Sequence, residues 1–430
     1  MKLQRRVLGG GNRFRVRLRA GVIALLALFV FTIPFENAIE IPGIGSLTRL
    51  IGLLAFIAGI VALRRRGDVT AHAPALFLLP ACLLVVWGLC SAFWSVAPIA
   101  TLGRVATFTQ LVLMAWLVVE YARGPRVQAL LLQAFVLGGY LNVAVAVNVL
   151  ATSQGEAFRD VGSAFNPNGF AAVLAIAVPF AWHLGSTARR RWLQALNYLF
   201  IPVAVFGVVL SASRGGLIAM LAALVIVPLG LASVGWLRRI VLIALIAIGG
   251  WIVLVKAPQV VPDLQRNIVR LAGTYDELTS GSLTTRREIW RAGLTVFTDV
   301  PLTGVGFGAF RYAVADTLGR VKAAHNAFVT MLVELGVVGL VLFVAVLAIS
   351  ALSVLATASR GLMFAPVAFL VLAVTLMPSN SEADKYTWFV LAILNSMSPI
   401  VVVPGGSWRR PIADFASMVI SINEATGTRE

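Results

Sequence analysis

The chain has little charge and few of the side chains that form disulfides or chelate metals. Only 12% of its residues are Asp, Glu, Lys or Arg, whereas a typical soluble domain contains ~25%. Two cysteines and three histidines are present among 430 residues. These scarcities exclude an ordinary soluble domain and a disulfide-rich scaffold.

The two cysteines, Cys82 and Cys90, lie in one apolar run, about two helical turns apart. That separation is too long for a disulfide, and no second pair of ligands is present for a metal ion. We therefore expect both thiols to be packed in the core.

Long apolar runs are abundant instead. Apolar residues make up 59% of the chain and the mean hydropathy is +0.92, which predicts a polytopic membrane protein. We predict an all-α integral membrane protein with about twelve transmembrane helices and one large periplasmic loop containing short amphipathic helices. The predicted spans cover residues 21–36, 46–63, 74–94, 103–121, 127–150, 168–185, 194–212, 216–236, 240–255, 326–348, 362–378 and 387–404.

Basic residues give the predicted orientation. The net charge is +17, and the arginines cluster between apolar runs, a pattern of cytoplasmic loops rather than of a nucleic-acid-binding surface. Clusters follow the second, fourth, sixth, eighth and twelfth spans, at residues 64–66, 123–126, 189–191, 238–239 and 409–410. Only the link after the tenth span is poor in charge, with Arg360 alone. Both termini are therefore predicted to be cytoplasmic in a bacterial inner membrane.

The predicted organisation has five parts. The first apolar run lacks a small-residue cleavage site after it, so we interpret it as a retained spanning helix rather than a signal peptide. The parts are a basic cytoplasmic N-terminus (1–20), spans one to nine (21–255), a periplasmic loop (256–325), spans ten to twelve (326–404) and a cytoplasmic tail (405–430). Shorter connections near 95–103, 151–168, 213–216 and 378–386 are predicted on the same side as the long loop.

The loop from Lys256 to His325 is the longest polar stretch between apolar runs, so chemistry is expected there. Apolar residues at helical spacing between Val261 and Leu271 predict an interfacial amphipathic helix. A second helix is predicted to begin at Thr285, which has capping-box spacing to Glu288, and to end before Pro301.

Arg286 and Arg287 fall in the first turn of that second helix. The helix macrodipole is already positive there, and Arg287 also has a like charge four residues on. Such an arrangement suits an anion, because free backbone N–H groups and guanidinium groups bind a diphosphate well. Contact with lipid headgroups explains these arginines equally well on charge alone.

Other polar residues are weaker signals by themselves. Arg214, beside a Gly-Gly turn, has the position of an arginine that snorkels to the interface. His325, at the entry of span ten, is available as a general base near neutral pH, although a lone histidine is usually structural. Glu334 is expected to make a helix contact within the bundle. The glycines of GVGFGAF at 304–310 are expected to turn the loop tightly against the membrane.

Together these segments resemble the O-antigen ligase and polysaccharide polymerase family. The resemblance rests on FNPNGFA at 165–171, SRGG at 213–216, R-x-E-I-W at 286–290, PLTGVGFGAF at 301–310, and H-N at 325–326 followed by E-L-G at 334–336. It covers residues 165–348, and the first 150 residues match only as a series of spans. The arginine of R-x-E-I-W aligns as Arg286 or Arg287, and we prefer Arg286.

The resemblance implies a membrane glycosyltransferase that uses an undecaprenyl-diphosphate-linked glycan as donor and a lipid A core or another glycan as acceptor. Arg214 and Arg286 would hold the diphosphate, and His325 would orient or deprotonate the acceptor hydroxyl. The substrate-binding residues would include Arg287, Arg266, Arg270, Asn326 and Trp290. No cofactor and no metal are expected, because the loop lacks an acidic cluster. Membrane lipids and other polysaccharide-assembly proteins are expected partners.

Three alternatives remain at this point. Ligase and polymerase activities are close to even. A lipid or polysaccharide flippase also has about twelve spans, but such transporters tend to show repeat symmetry and charged residues at mid-membrane, and neither is evident. A non-catalytic scaffold is compatible with the composition.

Overall fold

The computed structural model describes residues 18–38, 40–41, 45–64, 76–152, 166–229, 269, 284–319, 321–358 and 361–398. Within these ranges the protein is built from helices, with one short antiparallel hairpin that pairs β1 (Glu40–Ile41) with β2 (Gly45–Ser46). It is an all-α membrane protein.

The helices follow one another with short connections. Their bounds are α1 (Leu18–Ala38, ending in a 3-10 segment at Ile33–Ala38), α2 (Leu47–Arg64), α3 (Leu78–Cys90, extended by a 3-10 turn at Ser91–Phe93), α4 (Pro98–Tyr121), α5 (Pro125–Thr152), α6 (Pro167–Thr187), α7 (Arg191–Ser211), α8 (Arg214–Leu229), α9 (Thr284–Asp299), α10 (Phe310–Ala313), α11 (Ala315–Leu318), α12 (Ala327–Ala358), α13 (Phe364–Leu376) and α14 (Lys385–Ser396). A further 3-10 turn, Ser381–Ala383, precedes α14.

Seven helices in the described part of the chain are long and apolar enough to cross a membrane: α1, α2, α4, α5, α6, α7 and α12. Three shorter apolar helices, at Leu78–Phe93, Arg214–Val225 and Phe364–Leu376, match further predicted spans. The predicted span at 240–255 lies outside the described residues, as does the end of the last one. The count of twelve therefore stays a prediction.

Helix α6 is the centre of the bundle. Of its most apolar 18-residue window, 83% is buried inside the protein, more than in any other candidate span. Small side chains allow this, because they let neighbouring helices approach closely. A Cβ atom on Gly216 of α8 would lie 2.1 Å from the Cβ of Ala171, and one on Gly207 of α7 would lie 2.5 Å from Leu174.

Several contacts join segments that are far apart in the sequence. At one end of the bundle, the backbone N–H of Val96 donates to the carbonyl of Val305 (3.0 Å) and Lys385 pairs with Glu36. At the other end, the Tyr121 hydroxyl donates to the Gly59 carbonyl (2.9 Å). The side of the membrane on which each segment lies stays a prediction.

Two expectations about individual residues were wrong. Cys82 is exposed rather than packed in the core, and Cys90 is only half-buried; neither forms a disulfide. Helix α12 contains a break at Gly336, where φ is 68° and ψ is −167°. The break gives Glu334 partners outside the helix bundle, as described below.

Candidate functional site

Helix α9 forms close to the predicted limits and carries the arginine pair. Its buried residues Ile289 and Ala292 pack in a small apolar cluster with Phe310 and Val333. This packing fixes the helix against the start of α12. Arg286 is half-buried as a result, whereas Arg287 is exposed.

The segment that carries His325 is held on both sides. The indole N–H of Trp290 in α9 donates to the carbonyl of Ala324 (2.8 Å). The Asn326 side chain caps α12, because its Oδ1 accepts hydrogen bonds from the N–H groups of Phe328 (3.0 Å) and Val329 (3.1 Å). The contacts of Trp290 and Asn326 therefore fix the position of His325, which lies between them in the chain. Substrate binding by either one stays a prediction.

His325 and Arg286 are electrostatically linked. The pKa of His325 is lowered, first by the protein that surrounds part of the ring and then by the positive charges of Arg286 and Lys322. One side of the residue nevertheless remains exposed. Burial also lowers the pKa of Arg286, which stays cationic because its ordinary value is far above neutrality. The pair thus consists of a neutral, accessible imidazole and a fixed guanidinium cation.

Arg214 begins α8 at a turn that is tied to α6. The hydroxyl of Ser213 donates to Oδ1 of Asn168 (2.7 Å) and accepts from the N–H of Gly216 (3.1 Å). Gly215 faces Pro378, so a Cβ atom there would lie 2.6 Å from that ring. The SRGG motif and the NPNG residues at 166–169 therefore form one structural unit with the segment that follows α13.

Backbone strain marks both predicted sites. Among the described non-glycine residues, only His325 (φ 51°) and Ala212 (φ 49°) have positive φ. One is the predicted general base, and the other lies two residues before Arg214. Side chains with a Cβ atom rarely occupy this conformation, and strain of this kind concentrates at functional sites.

The glycine loop at 304–310 packs against the break in α12. The carboxylate of Glu334 accepts hydrogen bonds from the N–H groups of Gly308 (2.7 Å) and Phe310 (3.2 Å), and its carbonyl accepts from Gly306 (2.9 Å). Glu334 was expected to make a helix contact within the bundle, but its carboxylate instead accepts from amides of the glycine loop and of the first residue of α10. The glycine loop was expected to turn tightly against the membrane, but it packs against α12. A Cβ atom on Gly304 would lie 2.4 Å from the Glu334 carbonyl.

Two further residues at this end were missed by the sequence analysis. Nη1 of Arg104 lies 3.9 Å from Oε1 of Glu382, whose side chain is fully buried. Burial raises the pKa of Glu382 to about 8, although the Arg104 charge opposes the rise. The charge of Arg104 also acts on Glu334. Arg104 thus links the glycine loop with the segment between α13 and α14. An arginine within the largely apolar helix α4 was the sequence feature that could have predicted this role.

The structure describes some of the remaining predicted site residues and not others. Arg266 and Arg270 lie outside the described residues, as does the predicted amphipathic helix except for Val269, which is helical. Arg286 and His325 are brought together, while the convergence of Arg214 with them stays a prediction. Within the described ranges, no group of three or more His, Cys, Asp or Glu residues is placed to hold a metal ion. Metal independence stays a prediction as well.

Comparison with known proteins bears on the same residues. The model of the family described as O-antigen ligase matches residues 198–344, which include Arg214, Arg286 and His325. This part of the chain is therefore similar to the O-antigen ligase family. No curated protein matches the chain. The O-antigen ligase domain includes the α7–α8 turn, α9, the glycine loop and the first half of α12, and it supports a membrane glycosyltransferase of the ligase or polymerase type.

Proposed function

We propose that the protein transfers a glycan from undecaprenyl diphosphate to a sugar hydroxyl of the lipid A core, at the periplasmic face of the bacterial inner membrane. The observation that carries the proposal is that Arg286 lies near enough to His325 for its charge to lower the pKa of the imidazole, with both residues inside the segment that matches the O-antigen ligase family. The cation suits a diphosphate, and the neutral imidazole suits a hydroxyl proton.

In the proposed reaction the acceptor hydroxyl attacks the anomeric carbon of the donor glycan. The new C–O bond forms as the bond between that carbon and the diphosphate breaks, and the diphosphate leaves with the electron pair. Arg286 and Arg214 stabilise the charge that develops on it. His325 orients the hydroxyl and accepts its proton, so no external oxidant, reductant or metal is needed. Arg287, Arg266 and Arg270 contribute further positive charge to the donor site.

The local geometry supports a fixed site of this kind. The hydrogen bond from Trp290 to Ala324 and the Asn326 cap hold His325 from both sides. The two bonds from the glycine loop to Glu334 hold the next segment of the domain. Preorganised groups stabilise a transition state without reorganisation, which is the main contribution that a protein can add when the leaving group is already good.

The direct test uses the full-length protein purified into lipid nanodiscs. It is mixed with an undecaprenyl-diphosphate-linked glycan and, in parallel reactions, with lipid A core or with a second lipid-linked repeat unit. We expect product on the lipid A core and release of undecaprenyl diphosphate. Product only on the lipid-linked unit would reassign the protein as a polymerase. Movement of the intact donor across the bilayer without cleavage would favour a flippase.

A further inference from the structure

A pocket separate from the arginines and His325 lies where α1, α5, α6 and α14 meet. The pocket and the open solvent at its mouth together amount to about 460 Å³. The residues of its lining that carry polar side-chain groups are Glu36, Asn37, Asn142, Asn166, Asp384 and Tyr386. Rings of Phe35, Phe170 and Tyr386 contribute apolar surface.

An unsatisfied donor points to a ligand. Asn142 is 2% exposed, and its Nδ2 has no hydrogen-bond partner in the described part of the chain. Leaving a buried amide without a partner costs ~1–3 kcal/mol, and most buried polar groups in native proteins are paired. An apolar side chain would fill this place more stably. Because Asn142 also lines the pocket, a molecule bound there that accepts a hydrogen bond would satisfy this amide.

The charges around the pocket select the class of that molecule. Asp384 and Glu36 carry acidic groups, and Lys385 pairs with Glu36. Burial and the neighbouring Glu36 raise the pKa of Asp384 to about 6, so it is largely ionised at neutral pH. A phosphate would be repelled here, in contrast to the cationic site at Arg286. Hydroxyl groups fit, because each accepts from an amide and donates to a carboxylate.

The pocket is connected to the Arg214 turn. Asn166 caps α6 by accepting from the N–H of Asn168 (3.1 Å), and Asn168 in turn accepts from Ser213, beside Arg214. The Asn166 side chain lines the pocket. Asn166, which lines the pocket, and Asn168, which holds the Arg214 turn, are thus less than one helical turn apart.

We propose that this pocket binds one sugar unit through its hydroxyl groups, with Asn142 as donor and Asp384 and Glu36 as acceptors. The identification of the ligand as a sugar rests on the proposed function. The donor glycan and the acceptor glycan both offer this chemistry, and the experiment below separates the two sources. The pocket extends the site from the diphosphate to the glycan.

The test substitutes Asn142 by leucine, which has a similar shape and no polar atoms. Removal of an unpaired buried amide should leave the thermal stability of the protein unchanged or raise it. The matched control is Asn197→Leu. Asn197 is also buried, and its Nδ2, unlike that of Asn142, donates to Gln133 Oε1 (2.9 Å) and to the Leu193 carbonyl (2.9 Å), although its Oδ1 has no partner in the described part of the chain. That variant should melt at a lower temperature and keep its sugar selectivity.

Binding is measured with the full chain in nanodiscs and three probes: undecaprenyl diphosphate, the same lipid carrying a glycan, and free lipid A core. Asn142→Leu should bind undecaprenyl diphosphate normally. It should bind one of the two sugar-bearing probes about 3- to 10-fold more weakly, the loss expected for one or two neutral hydrogen bonds. Weakening of the glycan-bearing lipid identifies the donor sugar as the occupant, and weakening of the core identifies the acceptor sugar.

Other results would overturn the proposal. Unchanged binding of both sugar-bearing probes by a stable Asn142→Leu protein would mean that the pocket holds no sugar. Equal weakening of all three probes would mean that Asn142 acts on the diphosphate site or on the fold. Failure of the proposed function is distinguishable, because binding is measured without turnover. A wild-type protein that transfers no glycan, while Asn142→Leu still loses affinity for one sugar-bearing probe, would contradict the proposed function and leave the sugar pocket in place.

Discussion

The carboxylate of Glu334 accepts a hydrogen bond of 2.7 Å from the backbone N–H of Gly308, 26 residues earlier in the chain. A second bond from Phe310 uses its other oxygen. These bonds form beside the break at Gly336, where φ is 68° and the helical hydrogen-bonding pattern is interrupted. Through them, a side chain of the spanning helix α12 fixes the loop that follows α9.

Substitution of Glu334 by glutamine tests this positioning role. Glutamine keeps the shape but presents one N–H₂ group to a backbone N–H donor, so one of the two bonds is lost. Hydrogen bonds to charged groups contribute ~1.5–3 kcal/mol, and we expect a loss of stability in that range. Thermal unfolding in nanodiscs measures it. Glu288→Gln, on the exposed face of α9, is the matched control, and an equal effect of both variants would contradict the assignment.

The contact between Gly336 and the loop makes a second prediction. A Cβ atom on Gly336 would lie 2.2 Å from the carbonyl oxygen of Leu302. The positive φ of Gly336 also disfavours any residue other than glycine at this position. Gly336→Ala should therefore destabilise the protein by more than ~1 kcal/mol. Gly103→Ala serves as control, since no atom lies within 4 Å of the added Cβ. A melting temperature of Gly336→Ala equal to that of the wild type would show that the loop does not pack as described.

Sequence patterns predicted the parts of the fold that depend on residues close together in the chain. Helix α9 was predicted from Thr285 and Pro301, because capping and proline act within one turn. The partners of Glu334 were not predictable, since a backbone N–H leaves no trace in the sequence. The exposure of Cys82 was missed for a related reason: in an apolar run, side chains facing lipid and side chains facing protein look alike.

The candidate site was predicted in its residues and only partly in its geometry. The cation at Arg286 was recognisable because it opposes the helix dipole. Its proximity to His325 depends on the bond from Trp290 to Ala324, which joins residues 34 positions apart. The pocket at Asn142 gave no signal, because a single asparagine within a spanning helix is common in helix contacts.

The two arginines predicted to bind diphosphate should be intolerant of substitution. Arg286→Ala and Arg214→Ala should each lower the transfer rate about 100-fold or more, the usual effect of removing one group that stabilises transition-state charge. Lysine should restore little, because a point charge does not reproduce the bidentate guanidinium group. Arg291→Ala, on an exposed position of the same helix, is the control. Full activity of either alanine variant, measured with purified protein, would remove that arginine from the mechanism.

Topology provides a prediction that does not depend on catalysis. Cysteine is introduced at exposed positions, Arg190 before α7 and Val321 before α12, in a protein whose Cys82 and Cys90 are replaced by serine. A membrane-impermeant thiol reagent applied from the periplasm should label Val321→Cys and spare Arg190→Cys until the membrane is opened. Labelling of both from the same side would show that the number of spans between them is wrong.

The lowered pKa of His325 makes a prediction about pH. If the neutral imidazole accepts the hydroxyl proton, the transfer rate should fall as the pH drops through the lowered pKa, which lies below the ordinary value of about 6.5. Because protonation is easier in the unfolded chain, His325 should also reduce stability progressively below that ordinary value.

Lys322→Ala gives this prediction a sign. Lys322 is exposed and its charge lowers the pKa of His325, so its removal should move the acidic limb of the pH–rate profile to higher pH with little change in the maximal rate. His325→Ala should abolish the limb and most turnover while donor binding persists. An acidic limb that is unchanged in Lys322→Ala, or that survives in His325→Gln, would assign the ionisation to another group and leave His325 to orient the hydroxyl.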